Sequence, residues 1–226
     1  MSMPIAPTHQ LATVPLFAHL STAVLDELAR STRVRQFPQG QILCNEGDPG
    51  DNLIVLEAGQ LRISRFTILG DEAVLAVVDS PAVVGELALL DGAPRDATIT
   101  AQRAVSVRLV PRPVFLDLLK REPMMVEGLL RTLAELVRAG NARHADFVGL
   151  DVPGRLAKWL LKHVDERRAG TMVTLHCSQS ELAAELGTTR STLNRALHDF
   201  ESLGLITLAG TRITVRKPDS LRSYTI

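Results

Sequence analysis

The sequence predicts an α+β chain: an antiparallel β-sandwich or small barrel, then one long helix, then a helix-turn-helix completed by a β-hairpin. Three features of the 226 residues predict it. Short β-type runs separated by Gly/Pro/Asp clusters fill Val34–Pro111, the texture of an all-β unit. From Val126 to Phe147, seam positions recur at alternating steps of four and three, as in a coiled coil. Near the end, two short helical stretches meet at Gly187, and the second opens on polar and basic residues.

In chain order, Ser21 is placed to cap a short helix carrying Val24, Leu25 and Leu28 on one face. The β-type runs are Val34–Phe37, Gln41–Asn45, Leu53–Glu57, Leu61–Phe66, Ala73–Val78, Thr98–Ala101 and Val105–Val110. Between them lie Pro38-Gln39-Gly40, Gly47-Asp48-Pro49-Gly50-Asp51, Ala58-Gly59, Gly70-Asp71 and Asp79-Ser80-Pro81, all turn chemistry. Pro123 suits a helix start, where its missing N–H leaves no bond broken. The seam that follows is Val126, Leu130, Leu133, Val137, Gly140, His144 and Phe147. So narrow a seam needs a partner helix, and a second copy of the chain is the simplest source. A helix packed on its own barrel is the alternative. Asp151-Val152-Pro153-Gly154 interrupts the seam and reads as a hinge, with Asp151 capping a helix from Arg155 to about Arg167.

Ser178-Gln179-Ser180-Glu181 has the form of a capping box, in which serine and glutamate each satisfy the other's backbone N–H. Leu182, Ala183 and Leu186 give that helix its apolar face, and Gly187 ends it. Thr188 or Thr189 then caps a second helix, Arg190 to about Leu203, closed by Gly204. The strands Leu205–Leu208 and Arg212–Arg216, turned at Ala209-Gly210-Thr211, would form a wing. Leu193, Ala196, Leu197 and Phe200 make the buried side of the second helix, and Arg190, Ser191, Asn194 and Arg195 share the opposite face. Arginine suits guanine and asparagine suits adenine, each bidentate contact being worth about 1–3 kcal/mol of discrimination. Thr192, Thr211 and Arg212 are better placed for phosphates, which set register, and Gln179 is counted among the DNA-facing residues. A solvated face on a small helical domain is the alternative. The agreement of caps, turn glycine, basic face and hairpin favours double-stranded DNA.

Composition narrows the class. Apolar residues are 46% and charged residues 22%, ordinary for a globular chain. The longest apolar run, Ala73–Val78, is far short of the roughly 20 residues that cross a bilayer, so no membrane partner is expected. The N-terminus lacks a secretion-signal pattern, and a cytoplasmic location is expected. Two cysteines, Cys44 and Cys177, are too few for a disulfide framework or a four-thiolate iron–sulfur cluster. Residues 1–150 hold 14 Lys/Arg against 17 Asp/Glu, and residues 151–226 hold 11 against 8, a basic bias at the DNA-facing end. A cupin-like metal enzyme would need histidines on its strands, and none lies between Val34 and Pro111, so no metal and no enzyme are expected. His144 alone offers itself to haem, and a lone seam histidine is more often packed or solvated.

The stretch Gly85 to Thr98 reads Gly-Glu-Leu-Ala-Leu-Leu-Asp-Gly-Ala-Pro-Arg-Asp-Ala-Thr. A glycine lets backbone approach a ligand, free N–H groups beyond it favour an anion, and Arg95 adds a fork matched to phosphate. A turn carrying an Arg–Glu ion pair is an equal alternative by composition. The stretch resembles the phosphate-binding cassette of cyclic-nucleotide-binding domains, in which Gly-Glu-Leu-Ala is followed by Pro-Arg-x-Ala-Thr. Roughly residues 12–217 resemble the Crp/Fnr family of bacterial transcription regulators (cyclic-AMP receptor protein-like), with cassette, seam helix, hinge and helix-turn-helix in the family's order.

The resemblance implies an N-terminal antiparallel β-roll (1–121) that binds an effector, a dimerisation helix (122–150) and a winged helix-turn-helix DNA-binding domain (151–226). It implies cyclic AMP or a related cyclic nucleotide as ligand, a homodimer on a two-fold-symmetric operator, and RNA polymerase as a further partner. Glu86 would hold the ribose 2′-hydroxyl and Arg95 the cyclic phosphate. Backbone at Gly85, Leu87 and Ala88 would line the phosphate, Asn141 would contact the purine, and Arg190 and Arg195 would read guanines. Three departures stand out: Asp96 where the family has Ser or Thr, Pro81-Ala82 before the cassette, and Gly140 at the purine site. An acid beside a phosphate repels it unless Arg95 neutralises the charge, which motivates a regulator with no cyclic-nucleotide ligand as the alternative. At Ser191 the family often has Glu, which implies a DNA site different from that of glutamate-bearing members.

Overall fold

The computed structural model of the chain describes residues 7–66, 72–164, 171–174, 178–210 and 212–225. The chain enters through α1 (Pro7–Ala12), a 3-10 turn at Pro15–Phe17 and α2 (Thr22–Arg30). Ser21 caps α2 as expected, its side chain accepting from the Val24 N–H. Strands β1 (Arg33–Phe37), β2 (Ile42–Cys44), β3 (Asn52–Ala58), β4 (Gln60–Phe66), β5 (Glu72–Asp79) and β6 (Ala82–Val84) follow. After a short helix α3 (Glu86–Asp91), β7 (Thr98–Ala101) and β8 (Val105–Pro111) complete two antiparallel sheets of order β1-β8-β3-β6 and β2-β7-β4-β5. Every β-type run read from the sequence is a strand, with ends moved by a residue or two. The turn expected at Gly70-Asp71 lies outside the described residues.

β6 was not foreseen, because three residues after Ser80-Pro81 are too few to show alternation. It pairs with β3, Ile54 opposite Val84, and so delivers the chain to Gly85. The facing sides of the two sheets bury Ile54, Leu56 and Val107 against Leu61, Ile99 and Ala101. A second cluster joins Leu53, Val55 and Val110 to Leu89 of α3 and to Phe115 and Leu118 of α4 (Arg112–Arg121). Fully burying such a side chain is worth roughly 1.5–3 kcal/mol, so this cluster pins α3 and α4 to the barrel. α4 was also unforeseen; Pro113 in its first turn is the start signal. Arg108 and Glu57 form a buried ion pair at 2.6 Å, and Arg108 also donates to Thr32 Oγ1 at 3.2 Å.

The long helix α5 runs Pro123–Gly149. Met125 and Leu129 enter the second cluster, and Leu133 packs against it half-buried. Leu130, Val137 and Phe147 of the expected seam remain exposed, Val137 at 62%. The start of the helix therefore has one apolar face in the barrel core and another pointing outward. Contacts divide the chain into two compact units, Met1–Leu136 and Val137–Ile226.

In the second unit α6 (Val152–His163) is capped by Asp151, whose Oδ1 accepts from the Gly154 N–H at 2.8 Å. The helix starts earlier than expected: Pro153 and Gly154 lie in its first turn, where a proline breaks no bond. It also ends earlier, at His163, with Val164 extended. Beyond it come β9 (Thr171–Thr174), α7 (Gln179–Glu185), α8 (Arg190–Ser202), β10 (Ile206–Ala209), β11 (Arg212–Val215) and α9 (Pro218–Arg222). The expected two-stranded wing is a three-stranded sheet, β10-β11-β9. Leu156, Leu160, Leu182, Leu193, Leu197 and Phe200 belong to its core.

Candidate functional site

The loop between β6 and β7 is built around Arg95. Gly85 stands in the left-handed region at φ 82°, and a Cβ there would overlap the Arg95 guanidinium, so only glycine fits on both counts. Arg95 is 6% exposed. Its Nη1 donates to the Gly85 carbonyl at 2.8 Å and its Nη2 to the Asn52 carbonyl. Its Nε is buried with no hydrogen-bond partner among the described residues. The backbone is held as firmly, because Arg95 N–H donates to Asp48 O at 2.8 Å and Gly47 N–H donates to Arg95 O at 2.9 Å. The turn Gly47–Asp51 thus clamps the loop, which sequence reasoning treated only as a link between strands.

Glu86 and Ala88 are buried in α3 while Leu87 is exposed. Burial raises the Glu86 carboxyl above its ordinary range, opposed by a backbone hydrogen bond and by the charge of Arg95. Arg95 and Glu86 make no ion pair, since the Arg95 donors go to carbonyls; the reading of this stretch as a turn braced by such a pair is set aside. Gly85 and Glu86 lie beside Arg95, and Ala88 follows in α3, whereas Asn141 lies exposed on α5.

Asp96 is exposed and is not countered by Arg95. Its Oδ1 faces Arg65 Nη1 at 3.4 Å, and Arg65 holds Glu46 Oε1 through Nη2 at 2.6 Å and Nε at 3.0 Å. Sequence reasoning missed Arg65, for no local pattern ties β4 to a position 31 residues on. A shallow cavity of about 370 Å³ lies beside the loop, lined by Gly50, Ala88, Gly92, Pro94 and Arg112; neither Glu86 nor Arg95 lines it. Cys44 is half-buried with its thiol pushed up by burial, and Cys177 lies outside the described residues. Among the described residues no cluster of side chains is suited to a metal, and no helix is long and apolar enough to cross a membrane.

In the second unit both members of the capping box are present: Glu181 N–H donates to Ser178 Oγ at 3.2 Å, and Ser178 N–H to Glu181 Oε2 at 2.7 Å. Thr189, rather than Thr188, caps α8, accepting from the Thr192 N–H. Its hydroxyl also bonds those of Ser191 and Thr192, both at 2.9 Å, so these two side chains belong partly to the cap. Arg190 and Arg195 are exposed, Asn194 and Gln179 half-buried, and Arg212 exposed on β11; Thr211 lies outside the described residues. None of the three arginines has an ion-pair partner among the described residues, so a basic face is left to solvent. The turn between α7 and α8 is filled from α5: at Gly187, φ 61°, a Cβ would overlap the Phe147 ring. Arg155 lies over that ring at 5.0 Å and donates to Leu186 O and Leu150 O. That contact was not legible, because Phe147 was assigned to the seam.

Comparisons with known proteins agree with this layout. The family model for the cyclic nucleotide-binding domain matches residues 34–122, and that for the Crp-like helix-turn-helix domain matches residues 154–224. A CRP-like cAMP-activated global transcriptional regulator of Mycobacterium tuberculosis is 34% identical over 220 residues, 93% of this chain and 96% of the relative. The cyclic AMP receptor protein of Thermus thermophilus is 29% identical over 203 residues, 90% of this chain and 93% of the relative. The solved structure of the c-di-GMP responsive regulator CLP of Xanthomonas campestris superposes with a TM-score of 0.77 at 19% identity, covering 86% of this chain and 99% of that one.

Proposed function

Because the chain belongs to the Crp/Fnr family of transcription regulators, we propose that it binds a cyclic nucleotide, cyclic AMP first, in the β-roll. In this reading it also binds, as a homodimer, a two-fold-symmetric DNA site. The observation that carries the effector reading is Arg95: a buried guanidinium, fixed on the Gly85 carbonyl, whose Nε has no acceptor among the described residues. A buried donor left unpaired costs about 1–3 kcal/mol, and an anion at the loop would satisfy it. Glu86, held beside it and buried, accepts the ribose hydroxyl, with backbone at Gly85, Leu87 and Ala88 around the phosphate and Asn141 on the purine. The match to a cyclic AMP-activated relative over nearly the whole chain supports the choice of nucleotide.

The outward face of α5, with Leu130 and Val137, meets its equivalent in a second copy. On this reading residues 1–121 take the effector, 122–150 pair the copies, and 151–226 hold DNA. The paired α8 helices then lie about one turn of duplex apart, roughly 34 Å. Arg190, Asn194 and Arg195 read bases; Gln179, Ser191, Thr192, Thr211 and Arg212 contact the backbone or flank the base contacts. The nucleotide favours one arrangement of the α5 pair and acts only as far as it prefers that arrangement. RNA polymerase is the expected partner of the bound dimer.

Calorimetry with cyclic AMP and cyclic GMP, on wild type and Arg95→Ala, tests the effector reading, followed by DNA shift with and without the tighter ligand. Binding that is lost in Arg95→Ala supports it; equal binding by both proteins overturns it. The competing reading, a regulator without a nucleotide effector, draws on Asp96 and predicts no heat with either nucleotide.

A further inference from the structure

The acid at position 96 asks what its charge does beside an anion-binding loop. Asp96 follows Arg95 directly, exposed, and its carboxylate meets Arg65 rather than Arg95. Arg65 in turn is held by Glu46 through two nitrogens on one oxygen. Arg65 thus offsets Glu46 and Asp96 in part, while the Arg95 Nη donors go to backbone carbonyls. Glu86, close to Arg95, is buried, which disposes it towards its neutral form. Without Arg65, the same position would carry an excess of negative charge and repel any phosphate.

We propose that Glu46, Arg65 and Asp96 form a charge filter at the effector site, which admits a singly charged cyclic phosphodiester and rejects dianionic phosphate monoesters. Arg65 is its specificity-determining residue: it cancels the carboxylates enough for one negative charge to enter. Asp96, half-screened, still opposes a second charge. A phosphodiester carries one charge, whereas a monoester carries about −1.5 to −2 at pH 7. Unit charges about 4 Å apart interact by about 1 kcal/mol in water and by about 4 at a protein surface. Arg65 and Asp96 are 49% and 58% exposed, so the weaker end applies, and a five- to tenfold discrimination follows. Screening by salt should shrink it. The filter rests on reading residues 85–97 as an anion site, and its test must separate the two.

The experiment is calorimetric titration of the full chain with cyclic AMP and with 5′-AMP, at low and high salt, on wild type, Asp96→Ser, Arg65→Gln, the double variant and Arg95→Ala. Asp96→Ser is expected to tighten 5′-AMP five- to tenfold more than it tightens cyclic AMP. Arg65→Gln is expected to weaken both about tenfold, 5′-AMP more, and the double variant to recover most of that loss. The differences should fade at high salt. If Asp96→Ser and Arg65→Gln leave the preference unchanged while Arg95→Ala abolishes binding, the filter is wrong and the cassette stands. Binding of cyclic AMP by Asp96→Ser but not by wild type also overturns the filter alone. If Arg95→Ala binds like wild type, or no variant binds either nucleotide, both readings fail.

Discussion

Gly85 and Gly92 cap the two ends of α3, both in the left-handed region, at φ 82° and 75°, and they allow backbone strain to be separated from damage to Arg95. Alanine at either position costs roughly 1–2 kcal/mol for the left-handed conformation. At Gly92 the added Cβ finds its nearest neighbour, Arg112 Nη2, at 3.7 Å, an ordinary contact. At Gly85 it would overlap the Arg95 guanidinium, which must then leave the Gly85 carbonyl. A hydrogen bond to a charged group is worth about 1.5–3 kcal/mol, so Gly85→Ala should cost about twice what Gly92→Ala does. At about 2–4 °C per kcal/mol, melting should fall by several degrees in Gly92→Ala and by about double in Gly85→Ala. Calorimetry with cyclic AMP should show Gly92→Ala within about threefold of wild type and Gly85→Ala weakened at least tenfold. Equal affinities in the two variants would refute the coupling of Gly85 to Arg95.

Glu86→Gln probes the buried carboxyl. Its folded pKa is raised, so the unfolded chain releases the proton first; the residue's contribution is full below about pH 4.3 and declines as pH rises through the folded value. Glu86→Gln should therefore melt progressively higher than wild type as pH rises above the ordinary carboxylate range, while cyclic AMP binding weakens; parallel melting curves against pH would contradict this. Val137→Glu puts a charge on the outward face of α5, and light scattering should turn from dimer to monomer with helix content unchanged in circular dichroism. Arg190→Ala should relax one guanine preference in each half-site in a random-pool selection, by roughly 1–3 kcal/mol. An unaltered site logo would remove that role.

Most of the fold was legible because its signals are local. Turn residues separated the strands, Ser21 and Ser178 capped helices in the expected way, and the seam spacing marked α5. What escaped was short or non-local. β6 and β9 are too short to show a period and exist because β3 and β11 offer them an edge. α4 was hidden beneath a boundary drawn at Glu122-Pro123. In the candidate site, motif residues such as Gly85 and Arg95 announced themselves, but Arg65 and the clamp from Asp48 did not, since each acts across distant sequence. The charge at Asp96 was visible; its counter-charge was not.

Phe147 carries the same lesson into mechanism. Its spacing assigns it to a pairing face, yet its ring occupies the space that a side chain at Gly187 would need. Arg155 fixes the arrangement from above, bonding the last carbonyl before that turn and the carbonyl that follows α5. The turn residue is thus glycine for its left-handed backbone and for the ring, and the end of α5 sets where α7 hands over to α8. A glycine alone would leave that corner soft, because it has no side chain to pack; the aromatic ring supplies the packing from a different element. Beneath it, Leu182, Leu193 and Phe200 pack in the core that holds α7 and α8 together.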